Sequence, residues 1–260
     1  MAAEPFTQSR LQDYADCPYR YFLRYIERVE SPSVQAQPVH EFEQAVDRGT
    51  TFHRLVQQHL LGVPAKTIER RIHDDRVRQW WSQFLSEGLN DLPAQRLPEI
   101  TLMARLGDTP VSAKLDLLAL EPGRVVIVDW KTLRKPSASR LEARLQTKVY
   151  RWVVSQAAGG ILGSAVAPED IEMRYWFAGD PAPQIAFSYS QDEMLADERE
   201  LTALIQKIRQ DKEFRRTDDE NTCRVCAYRS ISRPEQIPVT VSSMEDDQVY
   251  LLGESAESDQ

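Results

Sequence analysis

At 260 residues the chain is long enough to bury a sizeable core, as one large domain or two small ones. It opens without an apolar leader, no stretch approaches membrane-spanning length, and three cysteines cannot frame a secreted disulfide scaffold, so a soluble cytoplasmic protein is expected. The formal charge of −8 comes largely from Glu245, Asp246, Asp247, Glu254, Glu257 and Asp259 near the end, so overall acidity says little about partners.

Helices are expected first. Ser9 and Gln12 fit a capping box that opens a helical segment through "RLQDYADCPYRYFLRYIERV", and "SPSVQAQP" (31–38) reads as a loop. "VHEFEQAVDRGTTFHRLVQQHLL" has helical period, as does "KTIERRIHDDRVRQWWSQFL" with Ile68, Ile72, Trp80, Phe84 and Leu85. Trp80 and Trp81 suit packing among these neighbours, with stacking on unpaired bases as the other reading. Three strands follow, "PEITLMARL", "PVSAKLDLLAL" and "RVVIVDW". Residues 131–151 then carry Lys131, Arg134, Lys135, Arg140, Arg144, Lys148 and Arg151 against Glu142 alone, with a basic helix expected over roughly 138–156. A second hairpin is expected from "IEMRYWFA" and "QIAFSYS", and Ser190 with Glu193 caps a long helix. Residues 235–260 form an acidic tail expected to be flexible. Helices, an antiparallel meander, a helix, a hairpin and a helix make an α+β or mixed α/β domain.

The turns of the meander set its register. Gly107-Asp108 suits a two-residue hairpin, and Glu121-Pro122-Gly123-Arg124 places Pro and Gly where a type II turn needs them. With those turns Glu99 falls opposite Asp116, and Asp116 opposite Asp129. Directly opposed side chains lie about 5 Å apart, and like charges there repel. Lys131, on the same face as Asp129, cannot neutralise three acids alone, whereas Mg²⁺ or Mn²⁺ suits oxygen ligands. A solvated surface meander is the bland alternative.

These residues resemble the PD-(D/E)XK nuclease superfamily, in which an acid, a short hairpin and then acid–x–Lys define the site, here Asp116 and "VDWKT". "SRLQDYADCPYRYFLRYI", "DRGTTFHRLV", "LQTKVYRWVV" and "CRVCAYR" are similar, in order, to the motifs of RecB-like exonucleases that carry an iron–sulfur cysteine motif, CRISPR-associated exonucleases among them. The resemblance covers roughly residues 9 to 233 and implies one nuclease domain over 1–234 with a restriction-endonuclease-like α/β fold: a central mixed sheet with an antiparallel meander, flanked by helices. It also implies that His53, Asp116, Asp129 and the Trp130 carbonyl hold the metal, with Glu99 beside it directly or through water. Lys131 would then be aimed at phosphate rather than paired off, with Gln146 and Tyr150 reaching the scissile strand. Arg144, Lys148 and Arg151 would face the DNA backbone. Read alone, His53 packs within its helix and Tyr150 belongs to a core.

Cys17, Cys223 and Cys226 occupy three positions of the family's four-cysteine pattern, and Ser232 stands at the fourth. Three readings stand: a [4Fe–4S] cluster with another group on the fourth iron, a zinc site, or packed thiols without metal. For function, a metal-dependent DNA exonuclease in repair, recombination or defence, acting on single strands or free ends, leads. The alternative is a non-catalytic DNA-binding subunit of a helicase–nuclease or spacer-acquisition complex. No P-loop sequence is present, so a helicase motor would be another chain.

Overall fold

The computed structural model describes residues 4–30, 37–224 and 226–232. Its elements begin with β1 (Phe6–Thr7), α1 (Gln8–Asp16), α2 (Pro18–Tyr21), α3 (Gln37–Leu60), α4 (Ala65–Glu69) and α5 (Asp75–Gln83). The sheet strands β2 (Gln95–Leu106), β3 (Thr109–Glu121) and β4 (Arg124–Lys131) follow, then α6 (Ala138–Glu142) and α7 (Leu145–Leu162). β5 (Ile171–Phe177), β6 (Gln184–Ser188), α8 (Gln191–Gln210), α9 (Glu220–Arg224) and α10 (Arg229–Ser232) complete it. The acidic tail over 235–260 and most of the loop expected at 31–38 lie outside the described residues.

The chain gathers into two compact units. The first holds the described residues of Met1–Gln8 and Arg48–Leu201, and the second those of Ser9–Asp47 and Thr202–Gln260.

The core of the first unit follows from β4, whose β-branched run "VVIV" is buried to its last residue, as a central strand covered on both faces must be. The tight turns deliver the expected registers: Leu102 faces Ala113 across β2 and β3, and Leu118 faces Ile127 across β3 and β4. Gly107 (φ 57°) and Gly123 (φ 76°) adopt the left-handed backbone those turns require. β5 lies parallel to β4, with Asp129 opposite Tyr175, and β6 closes the far edge antiparallel to β5. One edge of β3 pairs with β2 along its length. Its other edge is shared, β4 taking Leu117–Glu121 and β1 taking Val111 and Ser112 in parallel. Between those two ladders the edge of β3 is open, and Asp116 stands at the fork.

One face of the sheet carries an aromatic core. Phe52, Trp80, Trp81 and Phe84 pack against Leu117, Val128, Trp130 and Trp176, so the two tryptophans of α5 pack rather than wait for bases. The helix expected over 66–85 is in fact α4, a break, then α5. Asp74 makes that break: it is extended, and its carboxylate accepts from Arg76 N (2.8 Å) and Val77 N (3.1 Å) while Arg48 holds its other oxygen at 2.7 Å. Asp74→Ala is therefore expected to cost about 1 kcal/mol, read as a lowered denaturation midpoint. The Arg48 hydrogen bond and the Val77 N–H hold the Asp74 carboxyl below its usual 3.8. A lowered acid pKa stabilises above the unfolded value, so this contribution disappears as pH falls through the folded value, and the variant should match the parent in strong acid.

The basic helix expected over 138–156 is likewise interrupted. α6 stops at Glu142, Arg144 is extended (φ −69°, ψ 144°), and α7 runs on to Leu162, closed by Gly163 at φ 70°. The Thr147 hydroxyl donates back to the Leu141 carbonyl at 2.5 Å and ties the two segments together.

Candidate active site

α7 packs on the face of the sheet opposite the aromatic core, and the strand ends meet it at the fork. Asp129 and Lys131 project to that side from the last turn of pleat in β4, and both are 3 % exposed. Lys131 Nζ lies 3.0 Å from Asp129 Oδ2, so the lysine expected to point only at phosphate is also an ion-pair partner here. Gln146, in the first turn of α7, donates its Nε2 to Asp129 Oδ1 at 3.0 Å and lies 3.3 Å from the Tyr150 hydroxyl. One turn apart on one helix, Gln146 and Tyr150 address the same point. Burial raises the Tyr150 phenol well above its ordinary value, and the charges of Asp129 and Asp116 raise it further, so it stays protonated.

Asp116 joins them from β3, at the fork. Its Oδ2 accepts the Trp130 backbone N–H at 2.8 Å and lies 3.5 Å from His53 Nδ1. Burial alone would raise this carboxyl, but the His53 and Lys131 charges and the Trp130 N–H outweigh it and hold it below the usual range. Glu99 joins them: one donor atom each from His53, Glu99 and Asp116 lies within 4.8 Å of the others, a group that could hold a metal ion. The three carboxylates do not form a regular row. Glu99 sits between the paired Pro98 and Ile100 but outside the ladder, with φ 52°, a left-handed backbone that costs a non-glycine residue on the order of 1–3 kcal/mol. The β3–β4 ladder ends at Leu117 and Val128, one pair short of Asp116 and Asp129. The acids thus divide, Glu99 and Asp116 around His53, Asp129 with Lys131 and Gln146.

Three cations of the basic segment, Arg144, Lys148 and Arg151, are buried or paired within the fold. Arg151 is 3 % exposed, its guanidinium stacked 4.4 Å above the Tyr189 ring, bonded to the Ser188 carbonyl (3.1 Å) and 3.5 Å from both Glu193 and Asp197. Lys148 pairs with Glu200 at 2.5 Å, and Arg144 is buried. Arg151, expected to face the DNA backbone, thus spends its charge on partners inside the fold. The acidic run of α8, "QDEMLADERE", is the complementary signal in the sequence.

Two supports of the site escaped the sequence reading. Tyr175 donates to Gln146 Oε1 at 3.4 Å and shares a 2.8 Å hydrogen bond with Thr147, which orients the Gln146 amide. Lys114, two residues before Asp116, sits 3.1 Å from Glu99 Oε2.

In the second unit, Cys17, Cys223, Cys226 and Ser232 line one small pocket beside Arg20. Cys17 is extended at the start of α2, where Pro18 opens the helix, and the three cysteines are free thiols. Burial pushes the Cys226 thiol up while the Arg20 charge opposes the rise. Arg20 is itself anchored to Asp13 (2.9 Å) and Asp16 (2.6 Å).

A family model described as the PD-(D/E)XK nuclease superfamily matches residues 5–231. The crystal structure of a candidate exonuclease from Eubacterium rectale superimposes with a TM-score of 0.52 at 12 % identity, covering 92 % of this chain and 91 % of that one. A second solved structure, of SSO0001, gives a TM-score of 0.40 at 15 % identity, covering 91 % and 90 %. No curated protein matches the sequence. The mixed sheet flanked by helices is the restriction-endonuclease-like α/β fold. No helix among the described residues is long and apolar enough to cross a membrane.

Proposed function

The chain belongs to the PD-(D/E)XK nuclease superfamily, and from that premise we propose that it is a divalent-metal-dependent DNA exonuclease that hydrolyses phosphodiester bonds. One observation carries the reading: His53, Glu99 and Asp116 converge, and the Lys131–Asp129 pair lies close enough for the Lys131 charge to act on Asp116. The imidazole and carboxylate donors fit Mg²⁺ or Mn²⁺, with His53, Asp116 and Glu99 of the converging group as ligands and Asp129 and the Trp130 carbonyl completing the set. When bound, such an ion lowers the pKa of its water and polarises the phosphoryl oxygen.

The chain's own residues supply the rest. The Lys131 ammonium orients the attacking water or stabilises charge on the scissile phosphate. Tyr150, kept protonated, donates a hydrogen bond to the scissile strand, and Gln146 holds Asp129 in place. Single-stranded and duplex oligonucleotides incubated with Mg²⁺ or Mn²⁺ test the proposal. Cleavage lost in Asp116→Asn supports it. Metal-dependent DNA binding without turnover in the parent protein would favour a non-catalytic subunit instead.

The finer assignment, to RecB-like exonucleases with an iron–sulfur motif, is supported by the order of the motifs and by the pocket that Cys17, Cys223, Cys226 and Ser232 line together. Three thiols and one hydroxyl fit a cluster held by three cysteines, whose role would be to tie α2 to the segment around α9 and α10. Anaerobically purified protein is expected to show charge-transfer absorbance and to contain iron. A colourless protein without iron would remove the cluster, and zinc in its place would turn the site into a structural zinc centre.

A further inference from the structure

We infer that Lys114 competes with the metal ion for Glu99 and, once displaced, takes a backbone phosphate of the bound DNA strand. The inference rests on the metal-dependent reading above and concerns a residue that reading does not use. Lys114 Nζ is 3.1 Å from Glu99 Oε2, and Glu99 carries one of the donor atoms that gather with His53 and Asp116. The ammonium therefore occupies, at the rim of the group, a position of positive charge that a cation would also fill.

The two partners differ in how tightly the fold holds them. The Glu99 side chain is 20 % exposed and its backbone is locked at φ 52° in a gap of the β2–β3 ladder. The Lys114 side chain is 56 % exposed, on a regular stretch of β3 opposite Thr101. The acid is thus preorganised and the lysine is free to leave. An exposed Lys–Glu pair is weak, so a divalent ion with three or more ligands displaces it. Lys114 shares a strand face with Asp116, two residues away, so the released ammonium remains beside the metal group. A compact point charge on a flexible stem, at the solvent side of the metal, is suited to a phosphate of the strand being cut.

The test uses the full-length chain, Mn²⁺ alone, and a single-stranded phosphorothioate oligonucleotide that resists cleavage. In Lys114→Met, Mn²⁺ measured by calorimetry without DNA is expected to bind about two- to five-fold tighter, because the competing ammonium is gone. With saturating Mn²⁺, the same variant should bind the oligonucleotide more weakly, and the slope of log affinity against log salt should fall by about 0.7–1. Lys114→Arg should restore the salt slope. In a Glu99→Gln background, Lys114→Met should leave Mn²⁺ affinity unchanged. Mn²⁺ affinity indifferent to Lys114→Met, or a gain that persists with Glu99→Gln, overturns the inference while leaving the metal site standing. Failure of the parent protein to bind Mn²⁺ at all overturns both.

Discussion

Lys131→Ala is expected to slow DNA cleavage by about 10²–10³-fold, the loss that follows removal of one preorganised charge-stabilising group. A second effect accompanies it. Lys131 and Asp129 are a buried ion pair 3.0 Å apart, and removing one member leaves the other charge poorly compensated, at a cost of about 3–5 kcal/mol in comparable pairs. Activity alone would therefore confuse a catalytic loss with an unfolding one. Asp129→Asn combined with Lys131→Met separates them, since it removes both charges and leaves Gln146 able to bond the new amide oxygen. The double variant should regain most of the lost melting temperature without regaining cleavage. Lys131→Ala that cuts at the parent rate would remove the lysine from the mechanism.

Arg151→Met is expected to destabilise the protein by about 3–5 kcal/mol while leaving the salt dependence of DNA binding unchanged. Asp197 is buried, and Arg151 is the nearer of two cations acting on it, Lys148 being the other, with the Tyr189 hydroxyl accepted at 3.0 Å on the same carboxylate oxygen. Burial raises the Asp197 carboxyl and the Arg151 charge opposes that rise, so the variant raises it further. An acid whose folded pKa lies above its unfolded one loses stability as pH rises through that range. The deficit of Arg151→Met should accordingly shrink as pH is lowered. Asp197→Asn in the same chain should reduce it at neutral pH. A stable Arg151→Met that weakens DNA binding and lowers its salt slope would return the residue to the phosphate-facing role the basic segment suggests.

The contrast between these two cations shows where a sequence is legible. The antiparallel meander was readable because its turns are short: Gly107-Asp108 and Pro122-Gly123 leave one register each, and the observed pairs follow it. The acids and Lys131 could therefore be brought to one end of the strands on paper. The helix breaks at Asp74 and Arg144 were hidden. Nothing in an apolar repeat announces that a side chain will cap a new helix in mid-run, and Asp74 does so with the help of Arg48, far away in sequence. The fate of the basic segment was hidden as well, since α8 supplies counter-charges from 46 to 52 residues downstream.

What the sequence determined by itself was the chemistry and the local order: β-branched runs that must be central strands, turns that set register, and an acid–acid–x–Lys spacing carried by those strands. Tertiary structure alone decided the rest. The parallel pairing of β4 with β5 has no turn to set it, yet it puts Tyr175 beside Gln146. The sharing of one β3 edge between β1 and β4 opens the fork where Asp116 meets His53. The left-handed backbone at Glu99 takes that residue out of the β2–β3 ladder, where its carboxylate gathers with His53 and Asp116. Each depends on contacts between residues distant along the chain, whose energies are settled by packing rather than by any local preference.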